Sequence, residues 1–156
     1  MTPYSSILDS FHSSFQSRVV IPDGLVDQFF YTAVGDFELE IFELLIIKED
    51  IEVEIESEIE GEPNTFITQN IIVGVEILDS DKQLNRSQIN LLGKLMYKAY
   101  LSRERDRVLK LNNIVGRDIR LTGMADTKYA FNRAYLELLG EITELTNKLK
   151  ENTFSD

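Results

Sequence analysis

Apolar side chains recur at helical spacing from the start of the chain. Tyr4, Ile7, Leu8, Phe11 and Phe15 fall three or four residues apart, which predicts an amphipathic helix. Ser5 or Thr2 stands where a cap is needed, Pro3 fits a first turn, and the helix is expected to end near Arg18. Val19, Val20 and Ile21 read as extended, because the residue before a proline, here Pro22, is pushed out of the helical region. Asp23 then caps a second helix. Its apolar positions, Leu25, Phe29, Phe30, Val34, Phe37, Ile41, Leu44 and Leu45, keep the helical period to about Ile47, with Gly35 as a place for a bend or break.

At Ile51 the period changes to two. Ile51, Val53, Ile55 and Ile59 alternate with Glu52, Glu54, Glu56, Glu58, Glu60 and Glu62, the pattern of a strand with one apolar and one charged face. Gly61-Glu62-Pro63-Asn64 is a turn signal, and the β-branched run from Thr65 to Gln69, extending toward Leu78, is the return strand. Together they predict an antiparallel hairpin at about 50–78. A two-stranded hairpin alone is marginal in water, so its isoleucine face has to rest on the helices or on a neighbouring subunit.

The remainder reads as helix. Asn85 or Ser87 caps a run carrying Ile89, Leu91, Leu92, Leu95, Met96, Ala99 and Tyr100. A charged link, Ser102 to Arg107, leads to a short helix through Val108, Leu109, Leu111, Asn112 and Val115, ended by Gly116. Asp118 to Gly123 is irregular or a short strand. Asp126 or Thr127 caps a long helix whose apolar stripe is Tyr129, Phe131, Ala134, Tyr135, Leu138, Leu139, Ile142, Leu145 and Leu149. The expected fold is mainly α (α+β): a single domain over 1–156, with a small helical bundle from 1–48 and 84–151, a long C-terminal helix, one protruding acidic β-hairpin, and a mobile tail at 152–156. Glycines at 93 and 140 sit inside helical runs and are expected to serve close packing.

The formal net charge is −11, and its placement changes the picture more than its size. Between Asp36 and Glu62 there are twelve acids and a single base, Lys48; between Lys82 and Arg133 there are twelve bases and four acids. Such a dipolar chain can pair head to tail with copies of itself, or meet partners of opposite sign on different surfaces. The same pattern also describes two ordinary solvated surfaces. Cysteine is absent, which excludes disulfides and thiolate metal sites and is compatible with a reducing compartment. No stretch approaches the roughly 18 consecutive apolar residues of a membrane span, and the start MTPYSSILDSFHSS lacks a signal-peptide pattern.

Candidate chemistry is sparse. His12 is the only histidine; it lies off the first helix's stripe, with nothing near it in sequence to orient a general base, and reads as a surface residue. One histidine without cysteine argues against zinc. No phosphate-cradling glycine motif and no nucleophile elbow occurs. Alternating glutamates on a flat strand stand roughly 6.5–7 Å apart along one face and do not converge on a cation. Arg103, Arg105 and Arg107 alternate with Glu104 and Asp106, a partly self-neutralising mixture with only Tyr97 and Tyr100 nearby to stack on bases. A phosphate-binding groove therefore ranks below a solvated or subunit-pairing surface. No residue is assigned to catalysis, a cofactor or a metal.

The glutamate ladder remains. Like charges along one strand face cost free energy, and although charged strands resist edge-to-edge aggregation, six exceed that need. Two functional readings follow. One is an acidic DNA mimic that inhibits a DNA-binding partner by occupying its basic groove. The other is a wall past which DNA slides because carboxylates repel phosphates.

Three stretches resemble the head–tail connector (neck, adaptor or head-completion) proteins of tailed bacteriophages. They are the opening helix Tyr4–Phe15 followed by LVDQFFYTAVGDFE at Leu25–Glu38, the segment LNRSQINLLGKLMYKAYL at Leu84–Leu101, and RLTGMADTKYAFNRAYLELLGEITELTNKLKE at Arg120–Glu151. The chain departs from that family's pattern in its longer hairpin and in Ala99-Tyr100, where the central helix often carries tryptophan. The resemblance implies a non-enzymatic virion structural protein, a ring of about twelve copies beneath the portal, with a tail or second neck protein below. It would be made in the host cytoplasm and reside in the virion neck, with no cofactor and no membrane, and DNA would pass without sequence-specific binding. Glu52, Glu54, Glu56, Glu58 and Glu60 would face the channel. Arg103, Arg105 and Arg107, with Ile51, Val53 and Ile55, would make subunit contacts.

Overall fold

In chain order the elements are β1 (Thr2–Pro3), α1 (Tyr4–Ser13), α2 (Asp23–Glu40), β2 (Leu44–Ile55), β3 (Thr65–Ile77), α3 (Arg86–Val115) and α4 (Thr122–Phe154). The structure is a computed structural model; it describes residues 1–15, 19–78, 80–115 and 122–154, without the side chains of 111–129 and 152–154. Among the described residues the architecture is mainly α, four helices with a three-stranded antiparallel sheet of order β1-β3-β2.

α3 is the spine on which α1, α2 and α4 pack. Its Leu91, Leu92, Leu95 and Met96 are buried, as are Ile7 and Phe11 of α1, Phe29, Phe30, Val34 and Phe37 of α2, and Leu138, Ile142 and Leu149 of α4. α1 approaches α3 at Gly93: a first side-chain carbon there would overlap Ser10 Oγ and stand 2.9 Å from the backbone nitrogen of Phe11. At Gly140 the same carbon would meet nothing, so close packing explains Gly93 and not Gly140. Phe15 lies edge-on to Tyr97 and Tyr100, with ring centroids 5.0 and 4.9 Å away. α3 begins with a reciprocal cap: Asn85 Oδ1 accepts from the Gln88 amide at 2.8 Å, and Gln88 Oε1 accepts from the Asn85 amide at 2.9 Å. That selects Asn85 over Ser87. Lys94–Glu141 at 2.8 Å and Lys150–Glu40 brace α4; both pairs are partly exposed, and each contributes only about 0–1 kcal/mol.

Several boundaries differ from expectation. α1 stops at Ser13 rather than near Arg18, which lies outside the described residues. α2 stops at Glu40, not Ile47. Leu44, Leu45, Ile46 and Ile47 fit a helical stripe and a strand equally well; pairing with β3 decides, and Glu38 Oε1 accepts the Leu44 amide at 3.0 Å. The hairpin's first strand therefore starts six residues before position 50. The charged link at 102–107 is helical, because it holds neither glycine nor proline and charge density by itself breaks no helix. α4 already includes Gly123, Asp126 and Thr127 and runs to Phe154, so the first part of the expected mobile tail is helical. Residues 155–156, and Gly116 with 117–121, lie outside the described residues. β1 had no signal in the pattern; it pairs Thr2 with Val75 and Pro3 with Gly74, and Thr2 Oγ1 accepts the Leu84 amide at 3.0 Å. Among the described residues no helix is long and apolar enough to cross a membrane.

Three phenols carry a pH signature. Burial pushes the Tyr4 phenol far above its ordinary range, helped by its hydrogen bond to Asp27 at 2.9 Å. Burial also raises Tyr97, and raises Tyr100, where Glu104 adds to it and Arg107 opposes it. The fold retains protons that unfolded tyrosines release near pH 10, so stability is intact below about pH 10 and falls as pH rises beyond it. The denaturation midpoint should hold up to that point and then decline, less steeply in Tyr4→Phe. If the phenolate absorbance of the folded chain rises in step with that of the denatured chain, this account is wrong.

Candidate functional site

β2 and β3 pair from Leu44–Ile77 at the base to Ile55–Thr65 at the far end. The register slips once, between Ile47 and Lys48, leaving Val73 as an extra residue on β3. Alternation along β2 is unbroken, so Leu44, Ile46, Lys48, Asp50, Glu52 and Glu54 share one face and Leu45, Ile47, Glu49, Ile51, Val53 and Ile55 the other. At the base the first face packs: Leu44 and its neighbour Val75 are buried. The acids therefore continue the packed face, and the isoleucines continue the outer one.

Of the two supports expected for the isoleucine face, the helices or a neighbouring subunit, the helices do not supply it. The ribbon outruns what lies beneath it. Lys48 still reaches the ring of Tyr31 on α2, 4.8 Å from its centroid, and Ile72 is the last buried residue of β3 before the ribbon leaves the core. Beyond them Ile51, Ile55, Ile67 and Ile71 are exposed, Val53 is half-buried, and Phe66 on the acidic face is 64% exposed. Lys48 to Ile55 at about 3.3 Å per residue gives an arm of roughly 25 Å.

The ladder also divides. β2 ends at Ile55, so Glu52 and Glu54 stand on the strand while Glu56, Glu58 and Glu60 belong to the connecting loop. Asn64 fastens that loop: its Nδ2 donates to Glu54 Oε1 at 2.9 Å and its Oδ1 accepts the Ser57 amide at 3.1 Å. Gly61, at φ 95°, takes the left-handed turn that glycine accepts most cheaply. Asp50 Oδ1 accepts from Asn70 Nδ2 at 2.8 Å. The loop leaves Ile59 61% exposed at the tip, between glutamates.

The basic counterpart lies between α2 and α3. A groove of about 620 Å³ is lined by Phe29 and Ala99, by Gln28 and Thr32 of α2, and by Arg103, Arg107 and Lys110 of α3, with Asp106 beside them. Because α3 is continuous, Arg103, Arg107 and Lys110 fall at i, i+4 and i+7 on one face. Arg105 points elsewhere, its guanidinium 5.4 Å from the ring centroid of Tyr135 on α4. The three alternating arginines thus do not act together, and Lys110 joins two of them. A continuous helix through 102–110 would have revealed this from sequence. Arg103 and Arg107 are like charges one turn apart, a spacing that costs a few tenths of a kcal/mol; Glu104 lies 3.7 Å from Arg107.

His12 is exposed at the end of α1. Among the described residues no three of His, Asp and Glu converge as metal ligands. Compared with protein-family models, with curated proteins and with solved structures, the chain finds no match.

Proposed function

We propose that this chain is a non-enzymatic structural subunit of the neck of a tailed bacteriophage, one member of a ring between the portal and a tail or second neck protein. The ribbon carries the reading. An arm of roughly 25 Å with an exposed apolar face and an acidic face buries little for a single copy; it gains when a neighbour covers the isoleucines. With Ile51, Val53, Ile55 and Ile67 turned toward the next subunit, Glu52 and Glu54 face away from that contact, toward the axis. There their charge keeps DNA from adhering while it passes, without sequence-specific binding. A contact between different surfaces of identical subunits, repeated about an axis, can close a ring, for which the resemblance implies about twelve copies. The resemblance of the helical segments to connector proteins supports the same reading.

The test is the double substitution Glu52→Gln, Glu54→Gln. Rings of wild-type size and virions that release DNA more slowly are expected. A variant that fails to fold or assemble would show that these carboxylates are structural and not channel-lining. Affinity capture of the tagged chain from infected cells separates the acidic DNA-mimic reading. Recovery of portal or tail protein supports the connector; recovery of a nuclease or repressor at one-to-one replaces it with the mimic.

A further inference from the structure

We infer that the hairpin tip of one copy of this chain docks in the α2–α3 groove of a second copy, an inference that rests on the proposal of a self-assembling subunit and names its contact. The tip presents one exposed aliphatic side chain, Ile59, between Glu58 and Glu60. The groove presents the reverse pattern: Phe29 and Ala99 line it beside Arg103, Arg107 and Lys110, whose three positive charges outnumber the one carboxylate, Asp106. Apolar side chain meets apolar side chain, and acid meets base.

Charge chooses the occupant. Two hairpins laid face to face would cover each other's isoleucines, but residues 48–62 hold eight acids and one base, so that pairing is repulsive. The groove, with three bases against one acid in its lining, has a sign that suits the tip. The reach of the arm, roughly 25 Å, carries the tip away from its own helices. The strand carboxylates of Glu52 and Glu54 stay out of this contact, which keeps it separable from the channel-lining role.

The test splits the contact into halves. Arg103→Glu/Arg107→Glu destroys the groove and keeps the tip; Glu58→Lys/Glu60→Lys destroys the tip and keeps the groove. Each variant alone should self-associate at least about tenfold more weakly than wild type in sedimentation at low salt, and an equal mixture of the two should regain assembly, through the unchanged tip on the unchanged groove and through the reversed tip on the reversed groove. The chain has no cysteine, so a trap is available: Glu58→Cys mixed with Arg107→Cys should form a mixed disulfide at least about tenfold faster than Glu58→Cys with Lys148→Cys on exposed α4.

Equal trapping rates, or a mixture that stays monomeric, overturn the inference. Wild-type rings that persist in both charge-reversed variants overturn the contact and leave the neck proposal standing. A tip–groove contact that gives open-ended chains instead of closed rings upholds the contact and removes the ring. Loss of short-duplex DNA binding in Arg103→Glu/Arg107→Glu, with self-association unchanged, assigns the groove to nucleic acid and overturns the inference.

Discussion

Phe30→Ala should lower the free energy of unfolding by about 3–5 kcal/mol, the cost of emptying an aromatic site in a core that cannot close over it. The ring is wholly buried, and Tyr4 meets it edge-on at 4.8 Å. Collapse is restricted because α1 is held at both ends. Its backbone abuts Gly93, and the strand before it is pinned by the Thr2–Leu84 hydrogen bond. Against a total stability of about 5–15 kcal/mol, this one change approaches the limit of folding. Phe66→Ala, by contrast, should stay within about 0.5 kcal/mol of wild type, because its ring is 64% exposed on the ribbon. Denaturant titration of the two variants side by side makes the comparison. Equal losses would mean that the ribbon is part of the folding core, and the argument that its isoleucines await a neighbour would fall.

The second large effect is expected at Gly93. Valine there should cost about 3 kcal/mol, the upper range for overpacking, and lower the melting temperature by roughly 6–12 °C for a chain of this size. The first added carbon would already overlap Ser10 Oγ and stand 2.8 Å from Ser10 Cβ. Because the Phe11 backbone is equally close, turning one side chain aside does not relieve the clash; α1 has to move. Gly140→Ala is the counter-test. Nothing stands within 4 Å of the added carbon, so the helix propensity of alanine should appear as a gain of up to about 1 kcal/mol. Thermal melts of both variants decide. A loss at Gly140 like that at Gly93 would mean that backbone flexibility, not the α1–α3 approach, governs both positions.

The sequence was most legible where one physical requirement acted alone. The stripes of α1, α3 and α4 needed only the helical period: of the residues chosen for them, Ile7, Phe11, Leu91, Leu92, Leu95, Met96, Leu138, Ile142 and Leu149 are buried, and others such as Tyr4, Leu8, Tyr100 and Leu145 are half-buried against that core. The hairpin was legible from its period of two and its turn signal. Where two readings satisfied the same residues, sequence did not decide. Leu44 to Ile47 serve a helix stripe or a strand, and only a partner strand chooses. Ser102 to Arg107 is as charged as a linker, but its backbone has no reason to leave the helix.

The candidate surfaces follow the same division. Alternation alone determined that β2 has an acidic and an apolar side, and composition alone determined that the chain is acidic in its middle and basic after it. Neither could say which side faces the helices, because that depends on which face of β2 meets the core at Leu44 and on how far the strands outrun the core. Tertiary structure decided both: the core holds the face of Leu44 and Val75, so the isoleucines farther out are left exposed. It also decided which arginines act together, since adjacency in sequence sets their number while the turn of a helix sets their direction. Arg103 and Arg107 share a groove with Lys110, and Arg105, only two residues from each, turns to Tyr135.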